Sequence, residues 1–177
     1  MNSKHLVDPE LAPILDLLPD VPLTNETLPQ ARASLKAMVA AMKTAPSPDI
    51  EVTEYQVPGP QDAPPVRVLL YLPKGLERPL PALLWVHGGG FVMGSADNED
   101  ATVKNLVKQV GCAVAVVDYR LAPETPFPGP VEDCYAALKW LYQNAGELGI
   151  APNRIAIGGS SAGAGISAGL ALLTRDR

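Results

Sequence analysis

Cysteine and histidine are both scarce in this chain, at two residues each. Cys112 and Cys134 form no metal-binding or redox spacing and sit in apolar or helical contexts, so both are expected to be ordinary buried thiols, with no metal site. Runs of like charge are missing as well. A net charge of −5 spread over 177 residues speaks against a nucleic-acid partner and against an acidic tail, and reads as solubility. No stretch approaches the ~18 consecutive apolar residues of a membrane span. Met1 to Asp20 lacks the basic, apolar and small-residue order of a secretory signal, so a cytoplasmic protein is expected. Neither an internal repeat nor a low-complexity tract is present.

What the chain does have is apolar residues, 47% of it, enough for a buried core in one domain. Over residues 1–45, Leu11, Ile14, Leu15 and Leu18, then Leu35, Met38, Val39 and Met42, recur at helical spacing on either side of the Pro-rich stretch Pro19 to Pro29. Two short amphipathic helices are expected there, either packed on the body of the domain or forming a cap over an apolar pocket. Residues 46–177 change character. Ile50 to Val57, Val66 to Leu72, Ala82 to His87, Ala113 to Tyr119 and Arg154 to Gly158 read as strands. Helical stretches at Asn98 to Val110 and Pro130 to Glu147 separate the last three. That alternation predicts an α/β fold, a mostly parallel sheet with helices on both faces. The first two strands, with no helix between them, should form an antiparallel hairpin at one edge.

Two glycine-rich segments carry the chemistry. Gly159-Ser160-Ser161-Ala162-Gly163 fits G-x-S-x-G, a pattern that chance supplies in ~6% of chains of this length and that is weak alone. Its setting strengthens it: Ile155-Ala156-Ile157 precedes it as a short strand, and Ala162 to Leu173 follows as an Ala/Leu/Gly helix. A serine at the tip of so tight a turn brings strand and helix backbones too close for side chains at 159 and 163. The alternative is a plain turn in which Ser160 or Ser161 caps the helix. The second segment, His87-Gly88-Gly89-Gly90-Phe91, directly follows the third strand. Three glycines let backbone N–H groups turn toward a developing oxyanion, and one such donor contributes about 3 kcal/mol to an acyl-transfer transition state. His87 ends a buried strand on this loop, so a loop-anchoring hydrogen bond is expected of it rather than a role as general base. His5 should be solvated.

With these segments in place the chain resembles the hormone-sensitive lipase family of α/β-hydrolases, the family IV bacterial esterases. The matching residues are His87 to Phe91 with Gly94, then Tyr119-Arg120-Leu121-Ala122-Pro123-Glu124, then Gly159 to Gly163. The resemblance implies a cofactor-free carboxylesterase of small apolar acyl esters, with Ser161 as nucleophile and the N–H groups of Gly89, Gly90 and Ala162 as oxyanion hole. It also implies that Arg120 and Glu124 brace their loop through charge-assisted hydrogen bonds. Ser160 stands where the family's common pattern has Asp, and Ala164 where it has Gly. Asp133 reads as helix N-terminal chemistry.

In this fold the triad runs Ser, Asp or Glu, then His along the chain. Only one helix follows Ser161, so neither acid nor base is assigned. The chain is expected to be the front portion of a protein about twice as long, with the strand that ends at Gly158 left as an exposed edge open to association or homodimer formation. A hydrolase-like scaffold that binds a small ligand without turnover, or an inert fragment, is the alternative.

Overall fold

The computed structural model describes residues 4–15, 22–42, 45–61 and 63–177. Leu18 lies outside them. Two helices come first, α1 (Ala12–Leu15) and α2 (Leu28–Ala41), followed by strands β1 (Ile50–Val57), β2 (Val66–Pro73) and β3 (Leu80–Val86). A 3₁₀ turn over Ala96–Glu99 leads into α3 (Asp100–Val110), then β4 (Ala113–Asp118), α4 (Gly129–Gln143), α5 (Ala145–Leu148), β5 (Ile150–Gly159) and α6 (Ala162–Asp176).

The strands form one sheet in the order β1-β2-β4-β3-β5. β3 pairs in parallel with β4 on one side and β5 on the other, while β2 is antiparallel to both β1 and β4. The parallel core and the antiparallel edge hairpin are therefore as expected from the alternation of elements. β4, Ala-Val-Ala-Val-Val-Asp, is buried from Ala113 to Val117, as a strand covered on both faces must be.

Each face of the sheet has its own apolar cluster. One joins Leu84, Val86, Ala115 and Val117 to Cys134, Leu141, Ile166 and Leu170 of α4 and α6; the other joins Tyr71, Val114 and Val116 to Val103 and Val107 of α3. Both cysteines are buried free thiols, and burial pushes each thiol pKa upward. α3 stops at Gly111, whose φ of 67° is the left-handed conformation that glycine adopts without a Cβ penalty.

Four details depart from the sequence reading. The stretch Pro130 to Glu147 is two helices, broken at Asn144, whose side chain donates to the Trp140 carbonyl at 2.8 Å. α1 is a single turn with Leu11 and Ile14 more than half exposed. On α2 the inward stripe is Leu28, Arg32, Leu35 and Val39, and Met38 and Met42 point to solvent. β5 begins earlier than expected because its first residues pair irregularly: Leu80 faces Ile150 and Ala82 faces Ile155. Pro152, which has no N–H to donate, falls in that irregular stretch.

Candidate active site

Ser161 sits in the turn between the C-terminal end of β5 and the first residue of α6. Its backbone is at φ 50° and ψ −117°, a conformation that costs a residue with a side chain of order 1–3 kcal/mol and persists only where the surroundings enforce it. Those surroundings are visible. Ser160 N–H donates to the Val86 carbonyl at 3.2 Å, and Gly163 N–H donates back to the Ser160 carbonyl at 2.8 Å. A Cβ on Gly159 would lie 2.5 Å from the Val86 carbonyl oxygen, and one on Gly163 would lie 2.5 Å from that of His87. Both positions therefore require glycine, and the crowding partner is the β3 backbone as well as the turn itself. The Ser161 side chain is exposed and makes no hydrogen bond among the described residues.

The loop after β3 lies against this turn. A Cβ on Gly88 would stand 3.0 Å from Ser160 Oγ. Gly89, Gly90 and Phe91 have φ of 124°, 62° and 68°, three consecutive left-handed residues. The bend is closed by Val92 N–H and Met93 N–H, both donating to the Gly89 carbonyl, at 3.2 and 3.0 Å. Among the described residues the backbone N–H groups of Gly89, Gly90 and Ala162 donate to no other group.

His87 is fully buried beneath the loop. Its Nδ1–H donates to the Gly88 carbonyl at 2.7 Å, which fixes the tautomer because a carbonyl can only accept. The ring stacks on Tyr119 at 4.1 Å, and the Tyr119 hydroxyl donates to the His87 carbonyl at 3.0 Å. Burial holds the imidazole pKa below its ordinary value, against the opposing pull of the Gly88 carbonyl and Asp118. The ring is thus favoured in its neutral form and hydrogen-bonded to the base of the loop.

The Tyr119 to Glu124 segment is braced, with partners the sequence did not reveal. Arg120 donates through Nε and Nη2 to the carboxylate of Asp133 at 2.9 and 2.7 Å, and its backbone N–H adds a third bond at 2.9 Å. Asp133 is fully buried on α4 and serves Arg120, not the helix N-terminus. Glu124 is held by Arg32 of α2 in a bidentate pair at 2.7 and 2.9 Å, which pulls its pKa down to about 2. The same guanidinium donates to the carbonyls of Val92 and Ala122 at 2.7 and 2.8 Å. One side chain from the N-terminal helix thus ties the glycine loop to the Tyr119 to Glu124 segment.

Glu99 was also missed. Its carboxylate accepts from Trp85 Nε1 at 3.0 Å and from Ser160 Oγ at 3.1 Å, with Gly88 N–H at 3.5 Å. A signal for both residues existed. Glu99 precedes the buried Val103 and Val107 by four and eight positions, and Arg32 follows the buried Leu28 by four, so helical periodicity places each on an inner face.

Among the described residues no group of three or more His, Cys, Asp or Glu side chains is arranged to hold a metal ion, and no helix is long and apolar enough to cross a membrane.

Comparison with known proteins places this geometry. The alpha/beta hydrolase fold family matches residues 83–177. Carboxylesterase NlhH of Mycobacterium tuberculosis is 38% identical over 178 residues, which cover 99% of this chain and 56% of that protein. The arylesterase of Saccharolobus solfataricus is 49% identical over 90 residues, 51% of this chain and 29% of its own. Among solved structures, a bacterial heroin esterase superimposes with a TM-score of 0.87 at 45% identity, over 99% of this chain and 55% of that one. A Pyrobaculum calidifontis esterase gives 0.78 at 37% identity, over 97% and 54%. The chain spans about half the length of relatives that it matches from end to end.

Proposed function

The chain belongs to the α/β-hydrolase fold family, and from that premise we propose that its protein is a serine carboxylesterase of short, apolar acyl esters in which Ser161 forms the acyl-enzyme. One observation carries the reading. Ser161 is held at φ 50° on a strand-to-helix turn, exposed, against a loop whose Gly89 and Gly90 N–H groups are left without partners among the described residues.

The reaction follows from that arrangement. Ser161 Oγ attacks the acyl carbon as its proton passes to a general base. The carbonyl oxygen, now an oxyanion, takes hydrogen bonds from the N–H groups of Gly89, Gly90 and Ala162. Collapse expels the alcohol, which recovers the proton, and water repeats the sequence to release the acid. Each oxyanion donor contributes about 3 kcal/mol, because the strained glycine loop is formed before the charge appears and need not reorganise. No metal or cofactor enters any step. His87 is not the base: its ring is fully buried against Tyr119, and its free Nε2 lies 4.0 Å from Asp118 Oδ1 and has no hydrogen bond to Ser161 among the described residues. Among the described residues no side chain is hydrogen-bonded to Ser161 as proton acceptor. Residues 1–45 act as a cap segment on the core of residues 46–177, with Arg32 as the point of attachment, and the protein works in the cytoplasm.

The test is covalent capture by a fluorophosphonate together with hydrolysis of a chromogenic short-chain ester, beside Ser161→Ala. Labelling that maps to Ser161 and vanishes in the variant is the expected result. Turnover by this chain alone should stay near the residual ~10³ over water seen when a triad lacks its base. Labelling that survives Ser161→Ala overturns the assignment. The absence of an imidazole bonded to Ser161 among the described residues also suits a scaffold that binds a small ester without turning it over; binding without labelling or product would favour that second reading.

A further inference from the structure

Two strained turns have to be held in register for this site to work, and neither is rigid by composition. The loop from Gly88 to Gly90 is all glycine, and the Ser161 turn is flanked by Gly159 and Gly163. Left to itself, a glycine-rich turn relaxes toward many conformations. One side chain touches both. Glu99, in the 3₁₀ turn before α3, places Oε1 3.1 Å from Ser160 Oγ and 3.5 Å from Gly88 N. Its Oε2 accepts from Trp85 Nε1 at 3.0 Å, and Trp85 belongs to β3, the strand from which the loop emerges.

The carboxylate is almost entirely buried. The partners that hold it are three neutral donors, and no cation is bonded to it among the described residues. A buried charge is costly unless its hydrogen bonds are made, so the loop and the turn cannot separate without leaving an oxygen of Glu99 unsatisfied. We propose that Glu99 is a positioning residue that sets the spacing between the oxyanion loop and the Ser161 turn, by holding Gly88 N–H and Ser160 Oγ on one carboxylate oxygen. Ser160 then has its own explanation. Position 160 faces a carboxylate, so it needs a donor. An Asp there, the residue common in the resembling family, would set two carboxylates against each other and force one of them to take up a proton.

The catalytic consequence rests on Ser161 being the nucleophile; the mechanical tie does not. The experiment therefore has two readouts on the full chain: the rate of Ser161 labelling by a fluorophosphonate, and amide hydrogen exchange at Gly88, Val92, Met93 and Ser160. Glu99→Ala should slow labelling about tenfold or more, as expected when oxyanion donors are misplaced. It should speed exchange at those four amides while β4 stays protected. Glu99→Gln keeps an oxygen that can accept from both turns, and should recover labelling to within about threefold of the wild type. Ser160→Asp should lose as much as Glu99→Ala. Ser160→Ala should lose less, and should add nothing when combined with Glu99→Ala, because both remove the same contact.

Unchanged exchange at the four amides in Glu99→Ala overturns the proposal. So does protection lost evenly over β3 and β4, which would make Glu99 a general stabiliser, or a Glu99→Gln variant as impaired as Glu99→Ala in both readouts. Should the wild-type chain not label at all, the serine reading falls, and the exchange data alone decide the role of Glu99.

Discussion

β4 and β5 flank β3 on opposite sides, run in the same direction and are built from similar small and branched residues, yet they live in different environments. β4 has β2 on its far side and is buried from Ala113 to Val117. β5 has no second neighbour among the described residues; Arg154 and Ala156 are exposed, and Ile155 and Ile157 only partly covered. The strand that leads into Ser161 is therefore the sheet's open edge, while the strand one place removed is its best-protected part. The site is precise where it leans on β3, through the Val86 and His87 carbonyls, and is open on the other side.

Substitutions can sharpen or break that contrast. The largest effect is expected from Val116→Asp, which buries a charge with no partner and should abolish cooperative thermal unfolding. Ile157→Asp on β5 should leave a folded chain, destabilised by about 1 kcal/mol. If the two variants behave alike, β5 is covered in solution and the contrast fails. Arg120→Ala comes next, at about 3–5 kcal/mol by denaturant titration, because it leaves the fully buried Asp133 carboxylate without its partner.

Gly163→Ala pushes a methyl group into the Val86 and His87 carbonyls and should cost about 1–3 kcal/mol. It should slow labelling of Ser161 as α6 moves off β3. Ala156→Lys should alter stability by no more than about 0.5 kcal/mol. Its effect belongs to association: sedimentation velocity should show concentration-dependent self-association of the parent chain, and a charge on the exposed Ala156 edge should suppress it.

The smallest effect is one of pH. Glu124 is held at about 2 by Arg32, below the ordinary carboxylate value of 4.5. A depressed carboxylate contributes fully above pH 4.5 and progressively less as the pH falls through 4.5 toward 2. Exchange protection of α2 should fade over that window in the parent chain, and be weak and pH-insensitive in Glu124→Gln.

Much of this was legible in the order of residues. The alternation of strands and helices called for a parallel core with an antiparallel hairpin, and the near-continuous apolar runs at Leu83 to Val86 and Val114 to Val117 marked strands covered on both faces. Both glycine-rich turns were visible, because tight backbone approach leaves glycine as its mark. What escaped was every contact that crosses the chain. Arg120 with Asp133, Arg32 with Glu124 and Glu99 with Ser160 join residues 13, 92 and 61 positions apart. Among Asp97, Glu99 and Asp100, periodicity with Val103 and Val107 favours Glu99 as the inward acid, but nothing local names Ser160 as its partner.

The sequence by itself determined the class of fold and marked the two glycine-rich turns, since these depend on local backbone geometry and short-range periodicity. Tertiary structure alone decided whom the buried carboxylates serve, and that Met38 and Met42 face outward. Those outcomes depend on which surfaces the sheet brings together, and a carboxylate or an imidazole takes its role from the donors that reach it.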